Sequence, residues 1–332
     1  MNFENDDRNT ILDRNPGESD FEYKFRLCKS KLNNEIDIDW SEICAILNLS
    51  ISGESLRKRA YGYMEYDKFV HSSDSVCQRI LSISDSHIPF NLPAETFKPY
   101  SGRVDILIFN GDIMDCASIS SFPRLYRSDI TDEMISARKY MIDVINLIKP
   151  SQVYVNVGNH EKRLGRYLSE RLNKDLLRIM PTNPLDLIIR DGFRDMDYAN
   201  KTDTWYGPLR EVFEKDNVDI IYSGDWFCRV GNTIFAHPLS YSSGMLKTTE
   251  KAVDHFLRKD REFTSIVLGH THKLGSYFQG NIHMFEQGCV CDLNKLDYAD
   301  GKLQLPNQEG FIYLCQDNKG NVINGKTELV KL

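Results

Sequence analysis

Five times between residues 79 and 272, a short apolar run stops at a cluster of Asp, Asn or His. Arg79-Ile-Leu-Ser-Ile-Ser leads into Asp85-Ser-His87, and Val104-Asp-Ile-Leu-Ile-Phe109 into Asn110-Gly-Asp112-Ile-Met-Asp115. Val153-Tyr-Val-Asn-Val157 leads into Gly158-Asn-His160-Glu161. Thr233-Ile-Phe-Ala ends at His237, and Thr264–Leu268 feeds Gly269-His270-Thr-His272. Such runs are strand-sized, and helical stretches fall between several of them. Ile130–Lys149 is the clearest, an amphipathic pattern (Met134, Met141, Ile142, Ile145, Ile148) stopped before Pro150. This alternation predicts an α/β fold with a parallel-rich sheet and helices on its faces. Open α/β sheets bind ligands at the carboxyl ends of their strands, so all five motifs can converge on one crevice.

Each motif alone is weak, since a lone His at a strand end is more often a hydrogen-bonded surface or core group. Together they are not: of eight histidines in the chain, five (His87, His160, His237, His270, His272) fall in these motifs. Asp85/His87 and His270/His272 are i, i+2 pairs, and residues two apart on a strand point to the same side, where they can grip one ion. Carboxylate, imidazole and amide oxygen together suit Mn²⁺ first, with Fe or Zn²⁺ as alternatives, better than Ca²⁺ or Mg²⁺. Two such ions roughly 3.5–4 Å apart can clamp a phosphoryl group and generate hydroxide near neutral pH for in-line attack on phosphorus.

In this order the motifs DxH, GDxx(D/E), GNH(D/E), H and GHxH resemble those of the calcineurin-like metallophosphoesterase family, over about residues 78–320. The resemblance implies a four-layer sandwich of two mixed β-sheets flanked by helices. It implies two divalent metals at the rim, one held by Asp85, His87, Asp112 and His272, the other by Asp112, Asn159, His237 and His270. His160 is then no ligand but a proton donor to the leaving oxygen or a phosphate contact. Asp115 orients it through a carboxylate–imidazole bond. Arg163 is either a phosphate contact or a surface arginine. Asp115 is followed by Cys116-Ala117 instead of the Arg-Gly of the protein phosphatases of this fold, His272 is present, and Pro238 follows His237. These departures resemble the diesterase and nuclease branches. The expected activity is hydrolysis of a nucleic-acid or nucleotide phosphodiester; the alternatives are a phosphomonoesterase or protein phosphatase, or a DNA-binding or adaptor protein built on this scaffold. A helical cap is expected near 162–206, where Arg166, Tyr167, Arg171, Trp205 and Tyr206 either contact a nucleotide or simply cover the sheet.

Residues 1–75 have another texture. Residues 1–16 read as a frayed arm, and a charged helical stretch runs from about Glu18. Asp39 is a plausible N-cap, with Glu42 three residues on, for a helix from Trp40 to Leu47. A second helix, Glu54–Tyr66, carries Arg57, Lys58 and Arg59. The outline is a helix-turn-helix or a plain helical hairpin, and 10 basic against 15 acidic side chains in residues 1–75 favours the plain one. A helical module beside a compact metallophosphoesterase resembles proteins encoded by bacteriophages and their hosts, which implies DNA or RNA partners. The remaining 76–332 form the expected catalytic domain.

The acidic start MNFENDDRNT and the lack of a membrane-length apolar run imply a cytoplasmic chain. A net charge of −7 argues against a protein that coats nucleic acid generally. Eight cysteines show no framework spacing, and the one close pair, Cys289 and Cys291, reads as buried strand cysteines sooner than as half of a metal site.

Overall fold

The structure, a computed structural model, describes residues 11–71, 76–121, 126–240, 242, 244, 246–259, 262–296 and 307–332, and of residues 65–71 the backbone alone. The first ten residues of the expected N-terminal arm thus lie outside the described residues. Two compact units divide the chain, Met1–Asp74 and Ser75–Leu332.

Among the described residues of the first unit, three helices have both ends in view. Helix α1 (Asp20–Leu32) begins at a capping box between Ser19 and Glu22, and α2 (Trp40–Ile46) at one between Asp39 and Glu42. Each reciprocal pair satisfies backbone N–H groups that a helix start leaves orphaned. The third, α3, runs Gly53–His71. Gly53 is obligatory: a Cβ there would stand 2.9 Å from the Trp40 and Ser41 backbone. Leu27, Cys28, Ile43, Cys44, Leu56 and Ala60 close the unit's own core. On α3, Arg57 and Lys58 both pair with Glu54.

In the second unit the strands are β1 (Gln78–Ile83), β2 (Ile106–Asn110), β3 (Gln152–Asn156), β4 (Phe193–Asp197), β5 (Thr202–Tyr206), β6 (Asp219–Tyr222) and β7 (Phe227–Val230). There follow β8 (Thr233–Ala236), β9 (Ser265–Leu268), β10 (Leu274–Gln279), β11 (Ile282–Gln287), β12 (Gly310–Gln316) and β13 (Glu328–Lys331). The main helices between them are α4 (Ile130–Ile148), α5 (Arg163–Arg171) and α6 (Lys247–Leu257). One sheet has order β13-β12-β1-β2-β3-β6, the other β10-β11-β9-β8-β7. In the first, β1, β2, β3 and β6 are parallel and β12 and β13 antiparallel additions; in the second, β8, β9 and β11 are parallel.

Alternation along each strand builds the layers. Ile80, Ile106, Ile108, Ile312 and Leu314 of one sheet meet Phe235, Val267 and Phe285 of the other. The intervening Leu81, Ile83, Leu107 and Phe109 pack instead under α4, against Met141, Val144, Ile145 and Ile148. On the far side Ile234, Ile266, Leu268 and Met284 pack with Val253 and Phe256 of α6. Each such side chain contributes about 1.5–3 kcal/mol by leaving water. The result is the four-layer mixed α/β sandwich, and no helix among the described residues is long and apolar enough to cross a membrane.

The segment 162–206 starts helical, with Arg163–Arg171 and Lys174–Leu177, but its later part is not the helical cap expected there. Helix α5 ends at Arg171, and Leu172 is extended (φ −107°, ψ 149°). Short turns follow, and Leu185, Ile188, Ile189 and Phe193 enter the core beneath the first sheet. The stretch closes as an antiparallel β4–β5 hairpin. Asp197 makes the turn by accepting from the Ala199 and Asn200 amides (2.9 and 3.0 Å), a local bond that competes with helix.

Candidate metal centre

All five motifs sit past the carboxyl ends of β1, β2, β3, β8 and β9. The parallel pairing of β1 with β2, of β2 with β3, and of β8 with β9 sets those ends side by side within each sheet. Two buried asparagines link the sheets beneath the site. Asn156 Nδ2 donates to Asn110 Oδ1 (2.8 Å) and to the Phe235 carbonyl (3.0 Å), and Asn110 Nδ2 to the Ala236 carbonyl (3.3 Å).

The strand alternation expected to align Asp85 with His87, and His270 with His272, does not operate. Strands β1 and β9 have ended at Ile83 and Leu268, and all four residues are left-handed, with φ of 56°, 45°, 75° and 53°. Asp112 joins them at φ 49°. Such backbone costs about 1–3 kcal/mol per residue and persists where surrounding structure over-determines it. Here the turns, not the pleat, bring the side chains together.

Asp85, His87, Asp112, Asp115, His160, His237 and His272 are buried, and Asn159 and His270 are partly so. Potential ligand atoms of Asp85, His87 and His272 lie within 4.8 Å of one another, as do those of Asp112, His237 and His270. A third such group, His87, Asp112 and His160, spans the two. His237 donates from Nδ1 to the Asn110 carbonyl (2.7 Å), which leaves Nε2 facing Asp112 Oδ2 at 3.1 Å and Asn159 Oδ1 at 3.3 Å. A nitrogen lone pair turned on two oxygen acceptors needs a proton or a cation between them. His87 Nε2 and His272 Nε2 pose the same demand, 3.0 Å apart, with Asp85 Oδ1 3.1 Å from His272 Nε2. The donor set therefore fits a divalent cation.

The electrostatics agree. Burial would raise the Asp85 carboxyl, but His237 and His272 outweigh it and hold it well below the usual range. Asp112 is likewise held down against burial, by His160 and His237. Burial opposes charge on His237, yet Asp112 and Asp85 push it up to about 10. His272, opposed by burial in the same way, is pushed up to about 9 by Cys289 and Asp85. Burial, aided by neighbouring imidazoles, lowers His87 and His270 to about 4. The pocket demands positive charge and holds it on protons that a metal would replace.

His160 is placed by its own amide, which donates to Asp112 Oδ1 (2.9 Å), and by Asp115 Oδ1, 3.0 Å from Nδ1. Asp115 also stands 3.5 Å from His87 Nδ1. Burial would raise its carboxyl, but bonds to His160 and His87 depress it strongly. Arg163 is turned inward: Nη1 donates to the Asp115 carbonyl (2.6 Å), and Nη2 lies 2.9 Å from His160 Nε2.

Sequence reasoning passed over two carboxylates that shape the loops. Glu161, fully buried, accepts from the amides of Asp112 (3.2 Å), Met114 (3.0 Å) and Gly158 (2.8 Å), tying two motifs together. Burial and then Asp112 raise its carboxyl. Glu133 of α4 accepts from the Cys116 (2.5 Å) and Ala117 (3.1 Å) amides. Glu161 stands in the third motif itself, but spacing carries no signal that it bonds backbone 47 to 49 residues away.

Comparison with known proteins agrees with this geometry. A family model described as calcineurin-like phosphoesterase matches residues 78–274. No curated protein matches in sequence. Among solved structures, similarity is found to a predicted phosphoesterase of Streptococcus pneumoniae (14% identity, TM-score 0.31, covering 73% of this chain and 84% of that one). It is found also to Vacuolar Protein Sorting 29 of Cryptosporidium parvum (13%, TM-score 0.35, 78% and 98%) and to an archaeal phosphodiesterase (13%, TM-score 0.36, 76% and 99%). With the family model covering more than half of its length and all five motifs inside the match, the chain belongs to the calcineurin-like phosphoesterases, metal-dependent hydrolases of phosphoester bonds.

Proposed function

We propose that the protein is a two-metal phosphodiesterase acting on a nucleic acid or nucleotide. The observation that carries the reading is the pair of three-residue clusters, Asp85–His87–His272 and Asp112–His237–His270, linked by the group His87–Asp112–His160. Asn159 Oδ1 stands 3.3 Å from His237 Nε2 of the second, and in this reading Asp112 would serve both ions. Two divalent ions bound there, Mn²⁺ first, would polarise the phosphoryl oxygens and activate water.

The chain's own groups complete the chemistry. Asp115 holds the His160 ring by Nδ1, so Nε2 is the atom from which a proton reaches the leaving oxygen. Arg163 Nη2 lies 2.9 Å from that nitrogen. An arriving phosphoryl oxygen draws the guanidinium to itself, and Nε2, an acceptor while Arg163 donates to it, then takes up a proton from solvent that it can pass to the leaving oxygen. Preference for a diester is supported by what surrounds Cys116. This residue stands where the protein phosphatases of this fold carry arginine. It is buried, and Glu133 locks its amide. A singly charged diester needs less cationic compensation there than a doubly charged monoester.

The test is Mn²⁺-loaded protein given bis-p-nitrophenyl phosphate, p-nitrophenyl phosphate, and single- and double-stranded DNA. Diester turnover exceeding monoester turnover is expected. Turnover of the monoester alone would sink the diesterase reading, and no turnover with any metal, joined to salt-sensitive DNA binding, would favour a scaffold role.

A further inference from the structure

Beside the metal cluster lies a second donor set of different chemistry. Past β11, the Gly288 amide bonds the Lys273 carbonyl (2.7 Å), the Val290 amide bonds the Ser84 carbonyl (3.0 Å), and the Leu92 amide bonds the Val290 carbonyl (2.9 Å). These bonds hold residues 288–290 against the start of the first motif. Val290 turns into the core under the first sheet, while Cys289 and Cys291 turn together to the other side, beside Phe90, Leu293 and Leu296. Both thiols are fully buried, and His272 is 6% exposed. One potential ligand atom from each of His272, Cys289 and Cys291 lies within 4.8 Å of the other two.

The plain reading is that two buried cysteines fill space as small apolar groups. It accounts for Leu296, Leu293 and Phe90 but not for an imidazole brought into reach of both sulfurs from a strand-end motif about 17 residues earlier. We propose that His272, Cys289 and Cys291 form a thiolate-rich site for a thiophilic d¹⁰ cation (Zn²⁺, Cd²⁺ or Cu⁺), adjoining the oxygen-and-nitrogen centre through His272. Metal–sulfur and metal–nitrogen bonds of about 2.3 and 2.0 Å put donors roughly 3.3–3.8 Å apart. Softness sorts the ions: Mn²⁺ belongs with Asp85 and Asp112, whereas two sulfurs select the thiophilic ion. His272 is common to both donor sets. The inference holds whatever phosphoester is hydrolysed.

The test uses the full chain, reduced, stripped by chelation, loaded with excess Mn²⁺ and then titrated with Cd²⁺. Ultraviolet thiolate-to-cadmium charge-transfer absorption should saturate near about one equivalent. It should be lost in C289S/C291S, while that variant still shows bound Mn²⁺ by electron paramagnetic resonance. An absent band in the native protein, or one that survives both substitutions, overturns the proposal. Should the double variant misfold, the ¹¹³Cd resonance of the native protein decides: a shift diagnostic of two sulfur ligands supports the site, and one typical of oxygen and nitrogen donors refutes it. Mn²⁺ binding and turnover, measured in parallel, report on the phosphoesterase reading separately.

Discussion

At Asp112 several demands meet in one side chain. Its Oδ1 takes the His160 amide, its Oδ2 faces His237 Nε2, and its own amide is held by Glu161. Asp112→Ala should therefore lose bound metal, whereas His160→Ala should keep the metal content and lose activity by about 100-fold or more, as for a positioned proton donor. Elemental analysis beside turnover checks both, and metal lost from His160→Ala would make it a ligand. Gly158 is fixed by the same carboxylate, since a Cβ there would stand 2.0 Å from Asp112 Oδ1. Gly158→Ala should lower stability by about 2 kcal/mol or more and weaken metal binding, read by thermal unfolding with and without Mn²⁺. At this scale the candidate ligands were legible as a set because histidine is rare and clustered in short motifs. Their left-handed backbone, and the inward turn of Arg163, were not. Both are set by bonds from residues distant in sequence, such as Glu161 to Asp112 and Arg163 to the Asp115 carbonyl.

Elements follow from local signals where the local signal is strong. Asp39 and Glu42 announced α2, and Pro150 the end of α4, where Lys149 takes φ 56° instead of continuing the helix. The β4–β5 hairpin was hidden because its residues are largely exposed and charged, and the Asp197 turn gives little advance sign. The start of α1 shows how charge supports an element. Arg26 bonds Glu18 and holds its carboxyl down, to about 2 from an ordinary 4.5. A depressed carboxyl contributes stability above its unfolded pKa and loses it as pH falls through the folded one. Protection of α1 amides in hydrogen exchange should thus weaken between about pH 4.5 and 2, and the weakening should be blunted in Glu18→Gln. An identical profile in that variant would remove Glu18 from the account.

Across the whole molecule, the division at Asp74 leaves every metal-centre residue in the second unit. A chain of residues 75–332 should then fold and keep native-like turnover of bis-p-nitrophenyl phosphate, while loss of turnover from a folded fragment would tie the first unit to the site. The sandwich itself was readable because parallel strands buried on both faces write near-continuous apolar runs, and because polar motifs punctuate their carboxyl ends. Juxtapositions across long sequence separations were not readable, among them the Asn110–Asn156 link and the approach of Cys289 and Cys291 to His272. The central claim is that Asp85–His87–His272 and Asp112–His237–His270 hold two ions that act together. Stoichiometric reconstitution tests it: chelator-stripped protein is titrated with Mn²⁺ while diester turnover is followed. Turnover should rise to saturation at about two equivalents. Saturation at one, or turnover untouched by chelation, would contradict the account.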